Sequence, residues 1–204
     1  MDESYPLTYS VDYPDRELNR LSSFFRIFAV IPIAIVLGTV AHATFGGRDE
    51  TIYVAAGGFL FAGPLLMILF RKKYPRWWFD WNRELARFGA RVHTYLVLMN
   101  DEYPSTDEQQ WVRLEIEYPN VETDLSRGMP LVKWFLAIPH YFVLFFLSIG
   151  AFFAVIYAWF AILFTGRYPR GVFDFVMGVQ RWFLRVSAYA FLLVTDKYPP
   201  FSLE

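Results

Sequence analysis

The sequence predicts an all-α integral membrane protein. Four transmembrane helices form two hairpins, with two interfacial amphipathic helices, short cytoplasmic β-strands and an internal twofold repeat. The first observation is a long apolar stretch, residues 131–164, in which Lys133 is the only formal charge. The second is a pair of further apolar runs at residues 24–45 and 52–70. The third is that motifs of the first half recur in the second.

The stretch 131–164 is too long for one straight transmembrane helix. At about 1.5 Å per residue it measures on the order of 50 Å, against a hydrocarbon core of about 30 Å. We therefore expect a hairpin of two short spans that bends at Ser148-Ile149-Gly150.

Bulk composition agrees with one compact membrane domain. Hydrophobic residues make up 55% of the 204 residues, and the formal net charge is −1. A near-neutral chain lacks the basic footprint of a nucleic-acid-binding protein, so no nucleic acid is expected as a partner. The chain contains no cysteine, which excludes disulfides, thiol catalysis and thiolate metal sites. Asp2 and Glu3 are unlike the basic start of a cleavable signal peptide.

The first half begins with a short strand and continues into a hairpin. Residues 7–11 alternate apolar and polar side chains, which is typical of a strand with one buried face. In the first span, Arg26 is expected to snorkel to the interface and Pro32 to kink the helix. In the second span, Gly63-Pro64 is expected to break the helix midway.

An amphipathic helix is predicted over residues 74–99. Its apolar side chains recur at helical spacing, while Arg83, Arg87 and Arg91 step along the opposite face and form an arginine stripe. Trp77, Trp78 and Trp81 are of the residue type that is enriched at the headgroup level. We interpret this helix as interfacial, with the stripe binding lipid headgroups or a partner protein. Packing on a soluble domain, with solvated arginines, is the alternative.

Residues 105–204 repeat residues 1–104. A second alternating strand occupies residues 112–116, and another amphipathic helix ends the unit. Arg181 and Arg185 of that helix belong to the same arginine stripe and are likewise expected to bind lipid headgroups or a partner protein. The functional and structural positions recur in pairs. These pairs are Arg26 with Lys133, Pro32 with Pro139, Tyr74 with Tyr168, Asp80 with Asp174, Arg87 with Arg181, and Arg91 with Arg185. Lysine and arginine flank the open ends of both hairpins, which predicts cytoplasmic termini.

The recurring tyrosines, prolines and aspartates are interpreted as structural. Tyr74 and Tyr168 precede prolines that end one element before the next begins. Asp80 and Asp174 suit the N-terminal turns of the amphipathic helices. His42 and His140 differ in predicted depth, which disfavours a bis-histidine haem site. Neither a cofactor nor a metal is expected.

These motifs resemble a known bacterial family. The paired Tyr-Pro-Arg-x-x-Phe-Asp element, the Arg-x-x-x-Arg helix and the closing Thr-Asp-Lys-Tyr-Pro-Pro-Phe-Ser-Leu are similar to the membrane proteins of domain of unknown function 4389, in two tandem copies. The resemblance implies a bacterial source, and together with the apolar runs it leads us to expect a location in the bacterial cytoplasmic (inner) membrane. It implies no activity and no catalytic residues.

The sequence favours a non-catalytic accessory or scaffold protein. It would present a cytoplasmic interfacial platform to a partner protein, a second copy of itself or anionic membrane lipid. The alternative is a small transporter or oligomeric channel with broken helices at Pro32 and Pro139. A lipid-modifying enzyme is disfavoured because no cluster of catalytic side chains is evident.

Overall fold

The computed structural model describes residues 5–45, 52–55 and 62–204. Its four strands are β1 (Leu7–Val11), β2 (His42–Phe45), β3 (Ile52–Ala55) and β4 (Val112–Ile116). Its α-helices are α1 (Arg20–Phe24), α2 (Arg26–Ala41), α3 (Ala62–Leu66), α4 (Arg76–Leu96), α5 (Met129–Leu136), α6 (Ile138–Thr165) and α7 (Arg170–Ala190). A π-helical turn, Met67–Arg71, follows α3.

The elements form three layers. β1 and β4 pair antiparallel, with Leu7 opposite Ile116 and Val11 opposite Val112. Alternate side chains of both strands are buried, because that face of the sheet packs on α4 and α7. α2 packs on α4, and α6 packs on α7. The two-stranded sheet and the long apolar helix α6 therefore lie on opposite sides of the α4–α7 layer.

Several local predictions are confirmed. β1 and β4 occupy the two alternating segments, and each shows the predicted pattern of alternate burial. The amphipathic helices are α4 and α7, and each begins at the arginine that follows a Tyr-Pro pair. Pro75 and Pro169 have extended backbone and cap these helices, as expected for residues that end the preceding segment.

The predicted bend at Ser148-Ile149-Gly150 is wrong. α6 is a continuous helix of 28 residues that passes through all three positions. A serine and a single glycine weaken a helix by at most about 1 kcal/mol each, which is too little to end one without a proline or a left-handed residue. The interruption lies instead at Ala137, between α5 and α6.

The prediction of four transmembrane helices is also wrong. Among the described residues, only the α5–α6 segment, Met129–Thr165, is long and apolar enough to cross a membrane. The first apolar run contains an apolar helix, Arg26–Val40, that is shorter than the roughly 20 residues a span requires. That run ends in β2, and the next one begins with β3, which pairs with β2. The predicted turn and part of the second span, residues 46–51 and 56–61, lie outside the described residues.

Of the two prolines expected to break helices, Pro139 lies beside an interruption and Pro32 does not. α2 continues through Pro32. The α5–α6 segment is interrupted at Ala137, and Pro139 lies in the first turn of α6, a position where its missing N–H has no intrahelical partner to lose. Gly63 and Pro64 likewise lie in the first turn of α3.

Glycine substitutions distinguish a continuous α6 from a bent one. A Cβ added to Gly150 would meet only the ring of Phe175, at 3.6 Å, which is ordinary contact. We expect Gly150→Ala to raise the free energy of unfolding by about 0.5–1 kcal/mol, because alanine loses less backbone entropy in a helix. Thermal unfolding in mild detergent, followed by circular dichroism, measures this.

Gly166→Ala is the matched control. Gly166 ends α6 with a φ of 75°, and an added Cβ would approach Oε2 of Glu17 at 3.2 Å. We expect this variant to lose about 1–2 kcal/mol, since a side chain is strained in the left-handed region. Equal destabilisation by both variants would contradict a continuous α6.

Candidate functional site

A large cavity lies between α2, α4, α6 and α7. Its volume is about 1460 Å³, and its lining is overwhelmingly apolar. Each helix contributes small or apolar side chains to it. Representative wall residues are Leu37 of α2, Leu85 and Gly89 of α4, Ala151 and Val155 of α6, and Val179 of α7. Sites that bind small molecules are typically concave and apolar with few polar groups, so this cavity is the candidate functional site.

Three polar side chains line the cavity with atoms that lack hydrogen-bond partners. These atoms are Oγ of Ser23, Nε of Arg26 and Nδ1 of His93. Ser23 and Arg26 are each 1% exposed. Burial lowers the pKa of His93 to about 4, so its imidazole is neutral at pH 7. The apolar space therefore contains one cation and two neutral polar groups with unused hydrogen-bonding capacity.

Arg26 is held rigidly by its surroundings. Its Nη1 donates to the backbone oxygens of Tyr95 and Asn100 at the end of α4. Its guanidinium lies 3.9 Å from the centroid of the Tyr95 ring, within cation–π range. The expectation that Arg26 reaches the membrane surface is therefore not met, because its side chain turns towards the backbone oxygens at the end of α4.

Lys133, the counterpart of Arg26 in the second half, has a different electrostatic environment. Its Nζ lies 2.7 Å from Oδ1 of Asp196 and also donates to the Thr195 carbonyl oxygen at 2.7 Å. Asp101, which corresponds to Asp196, is paired with Arg16 instead. Among the described residues, no carboxylate lies within ion-pair distance of Arg26. One buried cation is thus neutralised by an ion pair and the other is not.

The arginine stripe is directed largely at the protein's own backbone. Nε of Arg87 donates to the Leu114 carbonyl oxygen at 2.9 Å, and Nε of Arg181 donates to that of Tyr9 at 3.0 Å. Tyr9 and Leu114 face each other in the sheet, so both strands are fastened to helices in the same way. Covering strand carbonyls also blocks unwanted edge pairing.

The other stripe arginines also have internal partners. Arg91 is buried and donates to the carbonyl oxygens of Ser105 and Thr106. Arg83 pairs with Asp80 and Glu84, and Nη1 of Arg185 lies 3.5 Å from the Ser202 carbonyl oxygen. Lipid or partner binding by the stripe stays a prediction.

The tryptophans of α4 are divided between surface and core. Trp77 and Trp81 are exposed, with relative exposures of 69% and 53%. Trp78 is partly buried and packs against the main core. The two exposed rings are available to a lipid interface or a partner.

The predicted structural residues form matched contacts. Tyr74 and Tyr168 are buried. Their carbonyl oxygens accept hydrogen bonds from the hydroxyls of Tyr118 and Tyr13, respectively. Asp80 pairs with Arg76, and Asp174 pairs with Arg170, both at i,i+4 spacing. Repeat-equivalent residues thus have equivalent partners: the two tyrosine contacts cross between the halves, and the two aspartate pairs lie within one helix each.

His140 is a packing residue. Its Nδ1 accepts a hydrogen bond from Trp182 Nε1 at 3.0 Å, and its ring stacks on Phe201 with centroids 4.0 Å apart. Across the described part of the chain, no group of three or more His, Cys, Asp or Glu side chains is placed to hold a metal ion. The His42 side chain lies outside the described residues.

The described residues form a small, largely helical protein with one very apolar exposed segment, α5–α6, and an apolar cavity that opens to the surface beside exposed side chains such as Ile27 and Phe183. Residues 129–202 match the family described as Domain of unknown function (DUF4389). This match spans α5, α6, α7 and the closing segment, less than half of the chain, and covers one copy rather than two. No curated protein and no solved structure matches the chain.

The Lys133–Asp196 pair should be essential to stability. Lys133 is fully buried, so Asp196→Asn leaves an uncompensated cation inside the protein. We expect a loss of about 3 kcal/mol in the free energy of unfolding, measured by chemical denaturation. Lys133→Met should cost less, since it removes the buried charge as well. A smaller loss for Asp196→Asn than for Lys133→Met would contradict this electrostatic interpretation.

Proposed function

We propose that this protein is a non-catalytic accessory protein that lies in the cytoplasmic leaflet of a bacterial cytoplasmic membrane. Its sheet side then faces the cytoplasm as a platform for a partner protein. The observation that carries the proposal is the exposed apolar face of α5 and α6. Only 11% of the most apolar part of this segment is buried inside the protein, whereas the core helix of a soluble protein would be mostly buried.

The exposed face is rich in aromatic side chains. Phe142, Phe145, Phe152, Phe153 and Phe164 of α6 are each more than half exposed. Patches of this extent on soluble monomers usually mark interaction sites. The apolar face is continuous along both helices, and a lipid bilayer would remove all of it from water at once.

Contacts along α7 favour an in-plane orientation over a membrane-crossing one. α7 runs back along α6, as the Trp182–His140 hydrogen bond and the Phe175–Gly150 contact indicate. β1 in turn follows α7, because Tyr5 donates to the Arg185 carbonyl oxygen and Tyr13 to that of Tyr168. The sheet therefore flanks α6 along much of its length, one helix layer away.

Charges on the sheet make the crossing orientation costly. Asp12, Arg113, Glu115 and Glu117 are exposed on or beside the strands. If α6 crossed the bilayer, these groups would lie at the depth of the hydrocarbon, where even the Asp12–Arg113 and Glu115–Arg87 ion pairs would have to be removed from water. With α5 and α6 in the plane, the apolar side enters the leaflet and the sheet stays in water.

The first half is best explained as a diverged second copy of the family unit. The guanidinium of Arg76 lies 4.5 Å from the centroid of the Tyr118 ring, and that of Arg170 lies 4.4 Å from that of Tyr13. Leu98 and Leu193, just after α4 and α7, both have positive φ. Equivalent contacts and equivalent unusual backbone at aligned positions support two tandem copies.

The transporter alternative depended on helices broken at Pro32 and Pro139. α2 continues through Pro32, whereas the α5–α6 segment is interrupted at Ala137, two residues before Pro139. The α5–α6 segment contains no acidic side chain of the kind that usually marks an ion path. The proposal therefore retains the platform role alone, without a transported substrate or a reaction.

Single cysteines test the orientation, and the chain has no cysteine of its own to interfere. Ser126 and Thr165 are exposed near the two ends of the α5–α6 segment. We expect Ser126→Cys and Thr165→Cys to react with a membrane-impermeant maleimide from the cytoplasmic side only, in inverted and right-side-out vesicles. Thr8→Cys, on the exposed face of β1, is the cytoplasmic control. Labelling of Ser126→Cys and Thr165→Cys from opposite sides would overturn the in-plane orientation.

Site-specific photo-crosslinking tests the platform. A photoreactive amino acid at Ser10 or Glu115, on the exposed face of the sheet, should give one discrete protein adduct in native membranes. The same amino acid at Phe153, on the apolar face of α6, should give lipid adducts only. No protein adduct from either sheet position at native expression would contradict the platform role.

A further inference from the structure

The uncompensated cation of Arg26 points to a ligand. Burying a charge costs several kcal/mol unless it is paired, and buried arginines are normally accompanied by an anion. Arg26 is 1% exposed, and its contacts are two carbonyl oxygens, the Ser22 hydroxyl at 3.4 Å and the Tyr95 ring, none of which carries a negative charge. Its Nε–H has no acceptor. An anion supplied from outside the chain would complete the site.

The three polar side chains with unpartnered atoms lie towards one end of the cavity, while Asn82, Ser148, Gln180 and Ser187 line other parts of it. Ser23 and Arg26 are near the start of α2, where Arg26 meets the residues that follow α4, and His93 is one turn from the end of α4. From there the cavity continues between α2 and α4 as far as Gly38 and Asn82. The α6 wall alone, from Ser148 to Phe160, extends about 18 Å. A charged end followed by a long apolar space fits an elongated amphiphile.

We propose that this cavity binds an anionic amphiphile, with the acyl chain in the apolar part and the anionic group against Arg26. Ser23 and His93 add further polar groups with unpartnered atoms to the wall of the cavity. The volume of about 1460 Å³ is ample for a single acyl chain, since drug-sized ligands occupy about 300–1,000 Å³. The ligand's source is a free fatty acid or an anionic phospholipid, which share this chemistry.

The asymmetry between the halves supports the proposal independently. In the second half, Lys133 is neutralised by Asp196 at 2.7 Å, and neither residue lines the cavity. In the first half, the equivalent cation lines the cavity, and the equivalent carboxylate is engaged by Arg16. The half with access to the cavity is thus the half whose carboxylate, Asp101, attracts the buried cation only from beyond ion-pair distance.

Native mass spectrometry of the purified full-length chain tests the inference. The probes are palmitate, phosphatidylglycerol, the uncharged hexadecanol and the zwitterionic phosphatidylcholine, each titrated separately. We expect one equivalent of palmitate or phosphatidylglycerol to be retained, with hexadecanol and phosphatidylcholine at least tenfold weaker. Preference between the two anionic probes identifies the source. Equal retention of palmitate and hexadecanol, or retention of no anionic probe, would overturn the proposal.

Gly89→Leu tests the location of the acyl chain. Gly89 lines the cavity, and a Cβ added there meets nothing within 4 Å, so leucine fills space without a clash and improves the helix. We expect at least a tenfold loss of palmitate affinity with unchanged or higher thermal stability. Gly171→Leu is the matched control, because Gly171 also has open space but lies outside the cavity. Wild-type affinity in Gly89→Leu would place the ligand elsewhere and refute the proposal.

Arg26→Gln tests the anionic contact. This variant should lose the preference for palmitate over hexadecanol and keep the binding of hexadecanol, whereas Arg26→Lys should retain the preference. An unchanged preference in Arg26→Gln would refute the role of Arg26. If Arg26→Gln does not fold, the wild-type comparison of palmitate with hexadecanol decides the same question. The ligand-binding result and the membrane orientation are tested separately. Labelling of Ser126→Cys and Thr165→Cys does not depend on ligand uptake, so either proposal can fail without the other.

Discussion

β1 and β4 are exchanged between the two halves of the chain. β1 precedes the first set of helices but packs on α7, while β4 precedes the second set and packs on α4. Arg181 and Arg87 fasten the two strands through equivalent carbonyl oxygens. Because a two-stranded sheet is at best marginal in water, these helix contacts are needed to hold it. Each half therefore completes its fold with a strand from the other, and the layered arrangement depends on this exchange.

Local patterns in the sequence were sufficient to predict both paired strands and both amphipathic helices. Alternation fixed residues 7–11 and 112–116 as strands, and helical spacing fixed α4 and α7. The helix count failed for a physical reason. The length of an apolar run does not distinguish a membrane-spanning helix from other structure, and the run at residues 52–70 begins with a β-strand. In the second half, Ser148-Ile149-Gly150 is too weak a signal to end a helix.

The cavity was not predictable from the sequence, because its walls come from helices far apart in the chain. The sequence feature that pointed to the cavity was Arg26, a cation within an apolar run, and such a residue can be interpreted in two ways. A long cationic side chain can reach the membrane surface, or it can turn inward to carbonyl acceptors. Only the position of Tyr95 and Asn100, some 70 residues later, decides between them. The internal repeat also suggested that Arg26 and Lys133 are equivalent. In the structure, however, Lys133 has a carboxylate partner within ion-pair distance and Arg26 does not.

Strand exchange also constrains how the nascent chain matures on the ribosome. Tyr9 emerges early, but the arginine that binds its carbonyl oxygen lies 172 residues further along. At an elongation rate of about 20 residues per second, that interval is roughly 9 s. Throughout it, the apolar face of β1 lacks the helix on which it packs. Chaperone or membrane contact during synthesis would shield this segment until α7 has emerged.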